Sequence, residues 1–335
     1  MPLAVANLPA QSSNGMPRIL ITGGLGYLGS RVAQHLVRGG RWQVIVGTRR
    51  APGVIDWLPD ATIAQTDWQS DDSLRDACRS VAAIIHLGGM NAAQSATDPV
   101  GALAFNAVGS ARLVRAAVAA GVRRFIYVST AHVYASPLRG VITEGSPPEN
   151  LHPYATSHRA AEDSVRYAHE RRMLEGIVVR LSNSFGAPAN PAANCWMLLV
   201  NDLCRQAVES GKLVLNSSGL QRRDFIALTD VCRAAEHLLQ ADAGSLNDGL
   251  FNLGGAWAPT VLEMAQRVAR CAEPFCGGRP EISRPQPSPQ EHAGSLEFRI
   301  DKLARTGFAL QGDADAEITA TLKFCQALPQ LKANE

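Results

Sequence analysis

The sequence predicts an α/β fold, a doubly wound parallel sheet with a smaller C-terminal substrate-binding lobe, and three observations carry that prediction. Strand-like apolar runs alternate with helical segments through about residue 185. The first run leads directly into Gly23-x-x-Gly26-x-x-Gly29 and then an amphipathic helix. The chain has 335 residues, enough to bury a substantial core as one large domain or two unequal ones.

The expected strands are Arg18–Thr22, Gln43–Gly47, Thr62–Gln65, Ala82–Leu87, Arg124–Val128 and Gly176–Leu181. Between them the spacing of apolar residues predicts helices over Tyr27–Arg38, Asp71–Cys78, Val100–Ala120 and Tyr154–Leu174, the last two long and Ala-rich. Beyond residue 185 the order loosens. Pro188, Pro191, the segment Leu213–Asn216, a helix over Thr229–Gln240 and a Pro/Gly-rich stretch from Pro274 to Gly294 suggest a smaller lobe. The division expected is a flexible tail over 1–17, a dinucleotide-binding domain over 18–185 with sheet returns near 220–255, and a mostly substrate-binding lobe over 186–330.

The glycine turn has a physical reading. Gly23 takes the tight turn out of the strand, Gly26 lets the backbone approach a pyrophosphate, and Gly29 lets the helix press on the sheet. The phosphates are expected on the first helical turn, Tyr27-Leu28-Gly29, where N–H groups and the positive dipole end point outward.

Composition excludes several classes. A net charge of +2, with Lys and Arg scattered, gives no stripe for nucleic acid. No unbroken apolar run of about 18 residues suggests a membrane span. Seven cysteines show no paired metal spacing, since Cys271 and Cys276 lack a second ligand pair, so no metal is expected. Such thiol usage suits a reducing cytoplasm.

A second region is Phe125-Ile-Tyr-Val-Ser-Thr-Ala-His-Val-Tyr134, followed by Tyr154-Ala-Thr-Ser-His158. A strand ending in hydroxyl residues before Val-Tyr, with a Tyr opening a helix further on, resembles the extended short-chain dehydrogenase/reductases. His86-Leu87 resembles that family's motif after the fourth strand, and Asn106-Ala-Val-Gly109 its Asn-Val-x-Gly helix. Arg180-Leu-Ser-Asn-Ser-Phe-Gly186 and Arg223-Asp-Phe-Ile226 with Asp230 resemble the signatures of nucleotide-sugar epimerases and dehydratases, and Phe251-Asn-Leu-Gly-Gly255 the strand that follows.

The resemblance implies a Rossmann enzyme in which Thr130 is the catalytic hydroxyl and Tyr154 the acid/base. An ordinary phenol ionises near pH 10, so bringing it to work at pH 7 takes roughly 4 kcal/mol of field. The family draws much of this from a Lys; this chain has His158 there. An imidazole supplies less positive field, though it can still hydrogen-bond the nicotinamide ribose. The resemblance also places Asn106 near the site, where a mid-helix Asn bonded to nearby backbone is the alternative. His132, alternating with Ala131 along an extended strand, is a substrate candidate, as is Asn183. Arg223 suits a phosphate contact, and a plain surface charge is its bland reading. Leu87 and the pair Asp67-Trp68, which resembles the family's adenine contact, join the cofactor residues.

Cofactor choice rests on Val44-Ile-Val-Gly-Thr-Arg-Arg50. An NAD enzyme usually has Asp or Glu at this strand end for the ribose hydroxyls, whereas Arg accommodates a 2′-phosphate. Gly47 and Thr48 are not acidic, and Arg49 and Arg50 follow, so NADP is preferred with NAD possible. The activity expected is hydride transfer at a carbinol carbon of a nucleotide-linked sugar, by an epimerase or ketoreductase. A dehydratase is disfavoured because Ala131-His132 is not acidic. The alternatives are an NADPH-dependent reductase of a non-nucleotide ketone or aldehyde, and a non-catalytic nucleotide-binding regulatory protein. The two long helices resemble the family's dimer interface, so a homodimer is expected.

Overall fold

The computed structural model describes residues 15–49 and 55–333; most of the expected N-terminal tail, and Arg50, lie outside the described residues. In chain order the elements are β1 (Arg18–Thr22), α1 (Tyr27–Gly39), β2 (Gln43–Thr48), β3 (Thr62–Gln65), α2 (Asp71–Ala77), β4 (Ala83–His86), α3 (Ala92–Thr97), α4 (Pro99–Ala102), α5 (Ser110–Ala119), β5 (Arg124–Thr130), β6 (Gly140–Ile142), α6 (Pro153–Glu170) and β7 (Glu175–Leu181). There follow β8 (Asn183–Phe185), α7 (Leu199–Ser210), β9 (Lys212–Val214), β10 (Phe225–Ala227), α8 (Leu228–Gln240), β11 (Leu250–Leu253), α9 (Val261–Cys276), β12 (Glu281–Ser283), β13 (Leu296–Phe298), α10 (Asp301–Ala304) and α11 (Ala314–Ala333).

The chain forms two compact units. One comprises Met1–Ser129, Leu151–Val179 and Ala235–Leu250; the other comprises Thr130–Asn150, Arg180–Ala234 and Phe251–Glu335. They interleave along the chain; the sequence reading placed the main boundary near residue 185, with sheet returns near 220–255.

A seven-stranded sheet runs in the order β11-β7-β5-β4-β1-β2-β3. β1 pairs in parallel with both β2 and β4, Ile21 lying opposite Val46 and Ile85. Nearly every residue of β1, β2, β4 and β5 is buried, as in a sheet covered on both faces. The order of strands reverses between β1 and β4. Ligands of such sheets bind beyond the strand ends at that reversal, which here are Thr22 and His86.

The expected helix Val100–Ala120 is three pieces. Asp98 caps α4 by accepting from Gly101 N at 2.8 Å, with Pro99 at the first helical position. Leu103–Gly109 is then a π segment, and α5 continues from it. By length and composition alone the run Pro99–Ala119 could cross a membrane, contrary to the sequence expectation. It packs instead on α6, and Asn106 within it is fully enclosed and hydrogen-bonded to protein groups, as core helices of this length often are. Helix α6 starts one residue earlier than expected because His152 Nδ1 accepts from Tyr154 N at 3.1 Å and Pro153 fits the first turn. It stops at Glu170, short of the expected Leu174, because Arg172 adopts a left-handed φ of 55°. Arg124, 2 % exposed, donates to the carbonyls of Leu238, Leu239 and Ala241 and so satisfies the last turn of α8.

In the second unit β8, β9 and β6 pair in parallel with β10, β12 and β13 respectively. Helices α7, α9 and α11 enclose a core that includes Phe185, Leu203, Phe225, Met264, Ile318 and Leu322. Of the sheet returns expected near 220–255, β11 joins the seven-stranded sheet while β10 pairs with β8. The Pro/Gly-rich stretch from Pro274 begins inside α9: Pro274 lies in its last turn, where a missing N–H forfeits one bond, and Gly277 at φ 67° ends the helix.

Candidate active site

In the first unit, the glycine turn has the geometry that its sequence implies. Gly23 has φ 70°, and a Cβ there would lie 2.7 Å from Gly88 N. A Cβ at Gly29 would collide with the Gly23 carbonyl, so α1 can cross the turn this closely only with glycine. Gly26 is the exposed N-cap of α1 and, as a glycine, brings no side-chain cap of its own to the turn that follows. A Cβ at Gly26 would meet only Gly23 O, at 3.1 Å, which leaves the outer side clear for a ligand. The positive end of the helix and this open backbone at Gly26 suit the pyrophosphate of a dinucleotide.

The neighbouring strand ends complete that surface. A Cβ at Gly47 would lie 3.1 Å from the Thr66 methyl and 3.3 Å from Leu20, so a larger residue here would need these neighbours to give by a few tenths of an ångström. Half-buried Thr48 and exposed Arg49 are what β2 offers an adenosine ribose, and the Arg49 guanidinium lies 5.5 Å from the Phe105 ring centre. Asp67 is exposed and accepts from Gln69 N at 2.9 Å, while Trp68 is buried against Phe105. Leu87 N donates to Thr22 O at 3.1 Å and fixes the loop after β4 beside the glycine turn.

Tyr154 and His158, one turn apart on α6, meet edge to face with ring centres 4.4 Å apart. His158 is 6 % exposed, and its Nδ1 lies 2.6 Å from the Tyr127 phenol of β5. Its Cε1–Nε2 edge faces Gly89, where a Cβ would be 3.6 Å from either atom. Burial pushes the imidazole down from 6.5 to about 4, so it is neutral at pH 7. Asn106 Oδ1 accepts from Met90 N at 2.7 Å and its Nδ2 donates to Ser157 Oγ at 3.0 Å. The π segment thus turns Asn106 onto the loop after β4 and onto α6, and the alternative of a purely intrahelical bond does not hold. His86 bridges Thr22 Oγ1 at 2.6 Å and Ser110 Oγ at 2.8 Å, and burial pushes it down to about 3.

Sequence reasoning did not single out Tyr127 or Glu162. Tyr127 shares a face of β5 with Ser129, and Ser129 Oγ donates at 2.6 Å to the buried Glu162, one turn beyond His158. The i, i+4, i+8 spacing of Tyr154, His158 and Glu162 was the available signal.

In the second unit, Thr130 is buried at the end of β5 and its Oγ1 accepts from His132 N at 3.1 Å. His132 therefore stands in a 3-10 turn, Ala131–Val133, and not on an extended strand, so the alternation assumed for it does not apply. Asn183 Nδ2 donates to the Asp224 carbonyl at 2.9 Å, which ties β8 to the start of β10. Arg223 is exposed, and among the described residues its guanidinium makes no ion pair or hydrogen bond. Its neighbour Arg222 differs, donating to the Ala258 carbonyl at 2.8 Å and standing 3.7 Å from Glu263.

The chain belongs to the NAD dependent epimerase/dehydratase family, whose model matches residues 19–254. A mouse dTDP-D-glucose 4,6-dehydratase is 32% identical over 164 residues, 49% of this chain and 44% of its own length, so the match spans under half of that relative. A Streptomyces niveus dTDP-glucose 4,6-dehydratase is 28% identical, covering 82% of each chain, and a Streptomyces lividans UDP-glucose 4-epimerase is 29% identical, covering 76% of this chain and 80% of its own. Among solved structures, an NAD-dependent NDP-hexosamine 5,6-dehydratase involved in tunicamycin biosynthesis is 28% identical with a TM-score of 0.71, covering 93% of this chain and 98% of its own. The fold is also that of a Pseudomonas aeruginosa protein complexed with NADPH, 22% identical with a TM-score of 0.75, over 93% of this chain and 98% of that one. The family is one of NAD-dependent enzymes, and these relatives include both epimerases and dehydratases.

Proposed function

We propose that this protein is an NADP-preferring epimerase or ketoreductase of a nucleotide-linked sugar, acting at a carbinol carbon. A bound nicotinamide supplies or takes the hydride. Tyr154 exchanges a proton with the carbinol oxygen, Thr130 orients that oxygen, and His158 donates a neutral hydrogen bond toward the nicotinamide ribose. His132, in the place where an acid would favour dehydration, weighs toward epimerisation or reduction even though several relatives are named dehydratases.

The observation that carries the substrate class is Arg223, a cation with no protein partner among the described residues, standing directly before β10. A guanidinium in that condition suits a diphosphate, and such remote binding places a sugar for reaction. A UDP-, dTDP- or GDP-sugar is expected to raise the melting temperature of the NADPH-loaded protein. Arg223→Ala is expected to weaken the sugar nucleotide by roughly tenfold to a hundredfold, while the shift from NADPH alone stays intact. Stabilisation by a hydrophobic ketone and by no sugar nucleotide would replace this reading with a small-carbonyl reductase.

Arg49, exposed just after β2 where Gly47 and Thr48 stand in place of an acid, supports the NADP preference. NADPH is expected to bind more tightly than NADH, and Arg49→Ala to shrink the difference by roughly tenfold or more. Calorimetry that finds NADH the tighter ligand reverses the assignment. A homodimer through α5 and α6 is part of the proposal, supported by an apolar groove of about 460 Å³ between them, lined by Ala111, Val114, Val118, Tyr167 and Met173. Sedimentation as a single copy would remove that part.

A further inference from the structure

Tyr127, on β5, meets the same His158 as the proposed acid/base and has no place in the reaction as described above. It is 1 % exposed, so whatever its phenol does must be done with protein groups. Among the described residues its one hydrogen-bond partner is His158 Nδ1, at 2.6 Å.

We propose that Tyr127 is a positioning residue that fixes His158 in the tautomer carrying its proton on Nε2, so that the imidazole presents a neutral N–H past Gly89. The argument is one of satisfying donors. A neutral imidazole has one N–H and one bare nitrogen, and a phenol has one O–H. If Nδ1 carried the proton and donated to Tyr127, the phenol's own proton would be buried with no acceptor, which costs about 1–3 kcal/mol. If instead Tyr127 donates to a bare Nδ1, both buried groups are satisfied and the remaining N–H sits on Nε2. The protonation states agree with this assignment. Burial, with the Glu162 carboxylate adding to it, holds the Tyr127 phenol well above its ordinary range, and burial keeps His158 neutral.

The geometry gives that N–H a direction. The Cε1–Nε2 edge is the part of the ring that reaches Gly89, in the loop after β4, and Asn106 Oδ1 approaches the same glycine to within 3.5 Å of where its Cβ would be. Nε2 itself has no hydrogen-bond partner among the described residues. A residue at the family's lysine position has thereby become a donor whose direction is set from behind by a tyrosine. That the donor serves a nicotinamide ribose rests on the function proposed above; the tautomer itself does not.

The test is a two-bond 1H–15N correlation spectrum of histidine-labelled protein at pH 7, recorded for the full chain and for Tyr127→Phe. Phenylalanine preserves the packing of a fully buried ring and deletes only the hydroxyl. The expected wild-type His158 signal is a single neutral tautomer with the proton on Nε2 and a hydrogen-bonded Nδ1. In Tyr127→Phe the Nδ1 resonance is expected to move to that of an unbonded acceptor nitrogen. NADPH affinity is expected to fall roughly two- to tenfold as the ring loses its hold. A proton on Nδ1 in the wild type, or an Nδ1 resonance that the substitution leaves in place, overturns the proposal. If the resonance moves while NADPH affinity does not, the tautomer lock stands and the ribose contact is what fails.

Discussion

Tyr154→Phe is expected to lower turnover of an identified sugar nucleotide by about a hundredfold or more, with NADPH binding and melting temperature nearly unchanged. The structure makes this a clean substitution. Tyr154 sits in the first turn of α6, where its backbone N–H is held by His152 Nδ1, and its ring meets His158 edge to face. Phenylalanine keeps the cap and the ring contact, so what disappears is the hydroxyl proposed above to exchange a proton with the carbinol. A proton relay acts in the transition state and adds little to ground-state binding, so kcat should fall and KM should hardly move. Steady-state rates under saturating NADPH decide it. Turnover within a few-fold of wild type would mean that another group moves the proton.

The sequence made the first unit far more legible than the second, for physical reasons that particular residues show. Strands buried on both faces read as unbroken apolar runs, so β1 fell within its predicted bounds and β4 within one residue at each end. Gly23 and Gly29 are required by a left-handed φ and by a backbone collision, constraints that no other residue meets. The second unit is built from short two-stranded pairings and from helices whose apolar faces meet each other, so no alternation marks its order. The helix expected over Thr229–Gln240 is α8, while a signal that the sequence reading passed over, the capping box Thr260-Val-Leu-Glu263, opens α9. The π segment hid behind a continuous apolar pattern, because a single wide turn changes the face on which Asn106 lies without changing composition. His158 could be placed beside Tyr154 from spacing alone. Its neutrality and its attachment to Tyr127 depend on how deeply α6 is buried against β5, which spacing does not encode.

His158→Lys is expected to move the rising limb of the pH–rate profile, where the Tyr154 phenol ionises, about one to two units toward acid and to raise turnover at pH 7 by roughly tenfold or more. In the wild type an imidazole pushed down to about 4 is charged in only about one molecule in a thousand at pH 7, so position 158 lends almost no positive field to the neighbouring phenol. It also contributes no titration of its own between pH 6 and 9, so a limb in that range belongs to another group. Lysine would put a unit charge near a ring whose centre is 4.4 Å from the present imidazole. At that separation, with partial screening, the attraction for a phenolate is about 3–4 kcal/mol before desolvation is subtracted, which leaves one to two pH units as the net expectation. Burial opposes the substitution, because the ammonium replaces a neutral ring against Tyr127. Glu162, buried one turn further along α6 and 3.9 Å from Arg159, offers a compensating negative charge, so a fall of a few degrees in melting temperature is expected and not loss of the fold. A profile that does not move would show that ionisation of Tyr154 does not set the rate. Wild-type protein that binds NADPH yet exchanges no hydride with any sugar nucleotide, joined to a lysine variant that does, would mean that the neutral imidazole has retired the site from catalysis while keeping its hold on the cofactor.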